Sequence, residues 1–131
     1  MYNREKRTEF LLSFIDFAKA KTFLDMGCGK GSDLIEISKK ASYDSQIVGI
    51  DISEKSIDVA KELTVSDNRF QFMVHNMETA FPFENDTFDV ILSCNVVECI
   101  LSKNALISEL NRVLTHIPHP NQKIGYFLKG M

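Results

Sequence analysis

Thr22-Phe23-Leu24-Asp25-Met26-Gly27-Cys28-Gly29-Lys30-Gly31-Ser32-Asp33-Leu34 is the stretch that decides the fold. It reads as a short buried strand, a glycine turn and the start of a helix. Phe23, Leu24 and Met26 give strand character. Gly27, Gly29 and Gly31 have no Cβ, so the backbone can turn tightly and a ligand can lie against it. The helix that follows directs free N–H groups at the turn, which suits an acceptor-rich or anionic group. Asp25 stands at the carboxyl end of the strand, where open α/β sheets keep their ligand crevice. The next apolar strand, Gln46-Ile47-Val48-Gly49-Ile50-Asp51, also ends in an acid. A carboxylate there can accept hydrogen bonds from two ribose hydroxyls. Glycine turn, helix, strand and acid together make a nucleoside-binding βαβ unit.

Outward from this unit, strands and helices alternate. A leading helix is expected over residues 3–20, with Phe10, Leu11, Phe14 and Phe17 or Ala18 at helical spacing. It would pack on the sheet and could cover the crevice. A second helix is expected over Ser32–Lys40, with Leu34, Ile35 and Ile37 inward. Ser53 caps a third, with Ile57, Ala60 and Leu63 on one side. Arg69–Val74 alternates as a half-buried edge strand does, and Phe88–Cys94 is apolar enough for a central parallel strand. Ser102 caps a helix with Leu106, Ile107, Leu110, Val113 and Leu114 inward, and Lys123–Lys129 is the last strand. The order α–βα–βα–β–β–α–β predicts a doubly wound α/β sheet with helices on both faces and right-handed crossovers.

At 131 residues the chain reads as a single domain, 1–131. Apolar residues make up 44% and charged residues 25%, the balance of a soluble globular protein. A net charge of −3 supplies no basic stripe for nucleic acid. Three cysteines, Cys28, Cys94 and Cys99, form no even framework and no metal-like spacing, which points to a reducing cytoplasm. Asp16 interrupts the apolar run Phe10–Ala18, so neither a signal peptide nor a membrane span is expected. His116 and His119 have no third ligand nearby, so no metal is expected.

The segment Asp25–Gly31, Asp51, Asn76-Met77-Glu78 with Pro82-Phe83, and Phe88-Asp89-Val90-Ile91 resemble the class I S-adenosylmethionine-dependent methyltransferases. The nearest group is the small-molecule type (type 11) that includes ubiquinone and menaquinone biosynthesis enzymes. The resemblance implies a Rossmann-like sheet of about five parallel strands here, without the family's usual last two. It also implies methyl transfer from S-adenosyl-L-methionine to a small-molecule acceptor. By the same resemblance, Gly27, Cys28 and Gly29 would pack on the methionine part and Asp25 would hold its amino end. Asp51 would bind the ribose hydroxyls and Ile52 would pack on the adenine. Asn76 and the Met77 backbone would meet the adenine edge, and Cys94 would line the pocket. Asn76 replaces the family's usual Asp, yet its side-chain oxygen can still accept from the adenine amino group. Bland alternatives stay open for three of these: Asp51 as a helix cap, Asn76 as a turn residue, Cys94 as an inert buried thiol.

Methyl transfer from a sulfonium needs alignment and a dry pocket more than a fixed set of catalytic groups. Glu98 is the candidate base or substrate contact, with a solvated helix residue as its plain reading. Cys94-Asn95-Val96-Val97 stands where adenine- and glutamine-modifying relatives carry an Asn- or Asp-Pro-Pro-aromatic run, which argues against that chemistry. An edge strand at 123–129 would suit a homodimer, or a chain that is a fragment of a longer methyltransferase. Two other functions compete. A truncated or non-catalytic domain could act through a partner. An NAD(P)-dependent oxidoreductase would need glycine or alanine at position 32, which is Ser32.

Overall fold

The computed structural model describes residues 4–94, 103–115 and 125–129, with side chains over 6–93 and 104–115. In chain order the elements are α1 (Arg4–Leu12), β1 (Thr22–Met26), α2 (Ser32–Ser38), β2 (Gln46–Asp51), α3 (Glu54–Leu63), β3 (Phe70–Val74), β4 (Val90–Cys94), α4 (Lys103–Val113) and β5 (Gly125–Lys129). The strands form one sheet in the order β3-β2-β1-β4-β5, and every pairing is parallel. The predicted element order and the doubly wound sheet are therefore both present.

Strand side chains alternate between two apolar layers, as a period of two requires. Phe23, Ile47, Phe72, Val90 and Leu92 meet Leu34 and Ile37 of α2, Ile57 and Ala60 of α3, and Leu12 of α1. Leu24, Met26, Val48, Ile50 and Ile91 meet Leu106, Leu110 and Val113 of α4, together with Met77, Phe81 and Phe88. Right-handed crossovers explain the split. The chain steps outward from β1 through β2 to β3, and α2 and α3 cover one face. It steps the other way from β4 to β5, so α4 covers the opposite face. The direction reverses between β1 and β4, the kind of switch point at which open α/β sheets bind ligands.

Several sequence expectations need correction. The leading helix ends at Leu12 rather than near 20, because Ser13 N–H is shared between the Glu9 and Phe10 carbonyls. Asp16 Oδ1 then accepts from Ala18 N–H and holds a turn. Phe10 is 63% exposed and meets Phe14 edge-on at 5.0 Å, while Leu11 and Leu12 carry the burial. Leu63 and Ile107, expected inward, are both more than half exposed. Ser53 does cap α3, accepting from Ser56 N–H at 3.2 Å. Ser102 lies outside the described residues.

Polar side chains fasten the amino end of the sheet and the connections. Asp89 Oδ2 accepts from Lys21 N–H at 2.8 Å and Thr22 N–H at 3.3 Å, joining the starts of β1 and β4. Arg69 donates to the carbonyls of Ser38, Ala41 and Ser42, closing the end of α2. Arg112 of α4 donates to the carbonyls of Phe81 and Phe83 and to Glu109. Glu109 in turn accepts from Phe81 N–H at 2.7 Å. The helix-free connection from β3 to β4 takes its shape from these bonds.

Arg7 ties α1 to α2. Its Nη2 donates to both Asp33 oxygens at 3.1 and 2.9 Å, and Thr8 Oγ1 donates to Asp33 Oδ1 at 2.9 Å. Both ion-pair side chains are only 9% exposed, so removing one leaves a poorly solvated charge. Arg7→Ala should lower stability by about 3 kcal/mol in urea unfolding. A loss typical of a surface pair, about 0.5 kcal/mol, would show that α1 is not anchored there.

Candidate functional site

The glycine loop follows β1 on the carboxyl side of the sheet. Gly27, Gly29 and Gly31 have φ of 75°, 56° and 85°, a region that L side chains enter only with strain. The N–H groups of Gly27 and Cys28 both donate to the Ile50 carbonyl, at 2.8 and 3.0 Å. They carry the β1–β2 ladder one step beyond β1 and draw the loop across the end of β2. A side chain at Gly29 would meet no atom within 4 Å, so this residue borders open space.

Asp51 ends β2 beside the loop. Gly29 N–H donates to its Oδ2 at 2.8 Å, and Ser53 N–H donates to its Oδ1 at 2.9 Å. Ser53, not Asp51, supplies the α3 cap. Asp51 is half-buried, and each of its oxygens keeps acceptor capacity beyond these two bonds. The glycine loop and the acid of the second strand, brought together in the sequence reading, are in direct contact.

Asp25 is buried at 2% exposure, and among the described residues its Oδ1 has no hydrogen-bond partner. Its pKa is raised well above the ordinary carboxyl value, chiefly by burial and next by the nearby Asp33 charge. Arg7 opposes the shift and Asp51 adds to it. A lone, poorly solvated acid oxygen at a strand end is the feature a cationic ligand group would satisfy. The pKa of the Cys28 thiol is pushed up by burial and then by the Asp25 and Asp51 charges.

Apolar side chains stand exposed beside Asp51. Ile52 is 67% exposed just past Asp51, and Val74 is half exposed opposite Asp51 in the β2–β3 register. Asn76 is exposed, and its Oδ1 accepts from Glu78 N–H at 3.0 Å, so here it holds a turn. Met77 turns its side chain into the core layer under α4. The strand β4 reaches Cys94, whose side chain lies outside the described residues, as do Asn95, Glu98, His116 and His119. Among the described residues, no group of three or more His, Cys, Asp or Glu side chains could hold a metal.

Two residues escaped the sequence reading. Ser93 Oγ is buried and, among the described residues, without a partner, next to Met26 in the β1–β4 register. A hydroxyl near the end of an otherwise apolar run was its only signal. Val74 could have been found from its position beside Asp51 on a parallel strand.

Known proteins share the fold and the family pattern of this chain. The family model described as "Methyltransferase domain" matches residues 17–119. A demethylmenaquinone methyltransferase of Staphylococcus aureus (strain MRSA252) is 32% identical over 96 residues, covering 73% of this chain and 39% of the relative. Ajmaline N-methyltransferase of Rauvolfia serpentina is 31% identical over 97 residues, covering 72% of this chain and 33% of the relative. The chain thus spans well under half the length of these curated relatives. Among solved structures, StiE O-MT (residues 942–1257) superposes with a TM-score of 0.74 and 31% identity, covering 86% of this chain and 39% of that one. With the family model matched over most of its length, the chain belongs to the class I methyltransferase domain family, whose cofactor is S-adenosylmethionine.

Proposed function

We propose that the chain binds S-adenosylmethionine at the carboxyl ends of β1 and β2 and supports methyl transfer to a small-molecule acceptor. The observation that carries this reading is the 2.8 Å bond from Gly29 N–H to Asp51, with the unpartnered Asp25 oxygen one strand away. The residues present fit the cofactor. Asp51 would accept from the ribose hydroxyls. Gly27, Cys28 and Gly29 would lie against the methionine part, and Asp25 would meet its ammonium. Ile52 would cover one adenine face, and Asn76 and the Met77 backbone would meet its edge. Asn76 would then exchange its turn bond to Glu78 for one to the adenine amino group. Cys94 would line the methionine end, and Glu98 is the candidate base.

When bound, the cofactor supplies an activated methyl group. The chain's own part is to hold it in line and keep water out. Both curated relatives are named for small-molecule substrates, which supports an acceptor of that class. A cytoplasmic setting fits the free Cys28 and the absence, among the described residues, of any helix long and apolar enough to cross a membrane. Among the described residues β5 pairs with β4 alone, which supports a homodimer along the 123–129 edge. A dimer in light scattering that dissociates when proline replaces Phe127 would bear this out; a monomer at all concentrations would reject it.

Thermal shift tests the cofactor assignment. S-adenosylhomocysteine at a hundred times its Kd should stabilise the protein by about 2.7 kcal/mol. NADH should not, and a response to NADH alone would favour an oxidoreductase. Asp51→Ala should abolish the shift, and its retention would remove the ribose assignment.

Asp25 gives a prediction of opposite sign in the empty and filled states. Its folded pKa is raised, so the stability linked to it is full below the unfolded value and is lost as pH rises through the folded one. Asp25→Asn should therefore raise the Tm of the ligand-free protein at pH 7–8. The gain should vanish as pH falls below the ordinary value of 3.8. The same variant should lose the S-adenosylhomocysteine shift. A lower ligand-free Tm at pH 8 would mean that the acid is structural.

A further inference from the structure

Phe72 comes from β3, two strands away from the strand that leads into the glycine loop. In the β2–β3 register it stands opposite Gly49. Its ring lies across the place where Gly49 lacks a side chain. A methyl group on Gly49 would come within 2.7 Å of both Cδ1 and Cε1 of the ring, and within 2.8 Å of Cys28 Sγ. The far end of the same ring reaches Gly31, where a methyl would meet Cζ at 3.0 Å and Cε1 at 3.2 Å. One ring thus spans β2 and ends under the start of α2, beside the Cys28 thiol. Phe70 stacks on it with centroids 5.7 Å apart and planes at 12°, which holds its tilt. Phe72 is only 6% exposed, whereas a side chain at Gly29 would meet open space.

We propose that Phe72 is a positioning residue: its ring is the floor that sets the height of the glycine loop above β2. That height fixes the spacing between the Gly29 amide and the Asp51 carboxylate, and so the affinity for the adenosyl ligand. The inference rests on the crevice reading above. It also explains Gly49, a glycine in the middle of a buried strand, where glycine otherwise weakens the strand. Here the missing side chain makes room for the ring. Floor and loop touch by van der Waals contact over a short range, so a small change in ring volume is felt directly.

The test compares Phe72→Leu with Ile91→Val, a mild truncation on the opposite face of the sheet. Leucine keeps the site apolar but removes the ring atoms that reach Gly31. In ligand-free Phe72→Leu, amide hydrogen exchange at residues 27–31 should quicken about tenfold more than in Ile91→Val at matched loss of Tm. Its S-adenosylhomocysteine Kd, from calorimetry, should rise about ten- to hundredfold, while Ile91→Val binds as the unaltered protein does. Gly49→Ala, whose methyl presses on the ring and also on Cys28 Sγ, should give the same two changes. The double variant Gly49→Ala/Phe72→Leu should be less impaired than the two losses combined, because leucine vacates the space. The exchange measurement needs no ligand, so the two ideas fail separately. An unaltered protein that binds no adenosyl ligand overturns the crevice reading. Unchanged loop exchange in Phe72→Leu, or effects no larger than those of Ile91→Val, overturn the role of the ring.

Discussion

The structure depends on the parallel pairing of β1 with β2, continued by one extra step into the glycine loop. Because Gly27 and Cys28 both donate to the Ile50 carbonyl, the loop cannot leave the sheet before it has crossed the end of β2. That crossing puts the Gly29 amide within 2.8 Å of Asp51. Three residues with positive φ make the path available, and the Phe72 ring keeps it from collapsing. A register slip of one residue in β2 would turn Asp51 to the other face and dissolve the site.

The two ends of the sheet divide the work. At the amino end, Asp89, Thr22 and Lys21 exchange backbone and side-chain bonds that join β1 to β4. The acid of Phe88-Asp89-Val90-Ile91, part of the family pattern, therefore serves the frame rather than the crevice. At the carboxyl end, polar groups are left short of partners: Asp25 Oδ1 and Ser93 Oγ are both buried without one among the described residues. Stability is gathered at one end and given up at the other, as sites that bind polar ligands require.

Much of this was legible in the residues. Strand ends, the order of elements and the glycine–acid pair followed from local rules: apolar runs, glycine at positive φ, serine at a helix start. Helix faces were less legible. Phe10, Leu63 and Ile107 fit an inward stripe by spacing, yet each is exposed, because spacing shows that a face exists and not how far a neighbour covers it. The leading helix is shorter than its apolar spacing suggests for a related reason. Its apolar residues continue past Leu12, but Phe17 reaches Phe23 from a turn, with centroids 5.8 Å apart. The fit of Phe72 over Gly49 was out of reach, since only the fold sets those positions side by side. Asn76, which the resemblance gave to the adenine edge, holds a turn in the structure.

Asp25 carries a consequence for selectivity. An acid that is costly to ionise when alone is relieved by taking up a proton or by a partner bearing positive charge. An adenosine-like molecule with a neutral tail could satisfy Asp51 and the apolar wall around Ile52 and still leave the burden at Asp25 in place. On the proposed binding mode, the strand end therefore favours nucleosides whose tail carries positive charge, a preference that needs no steric barrier.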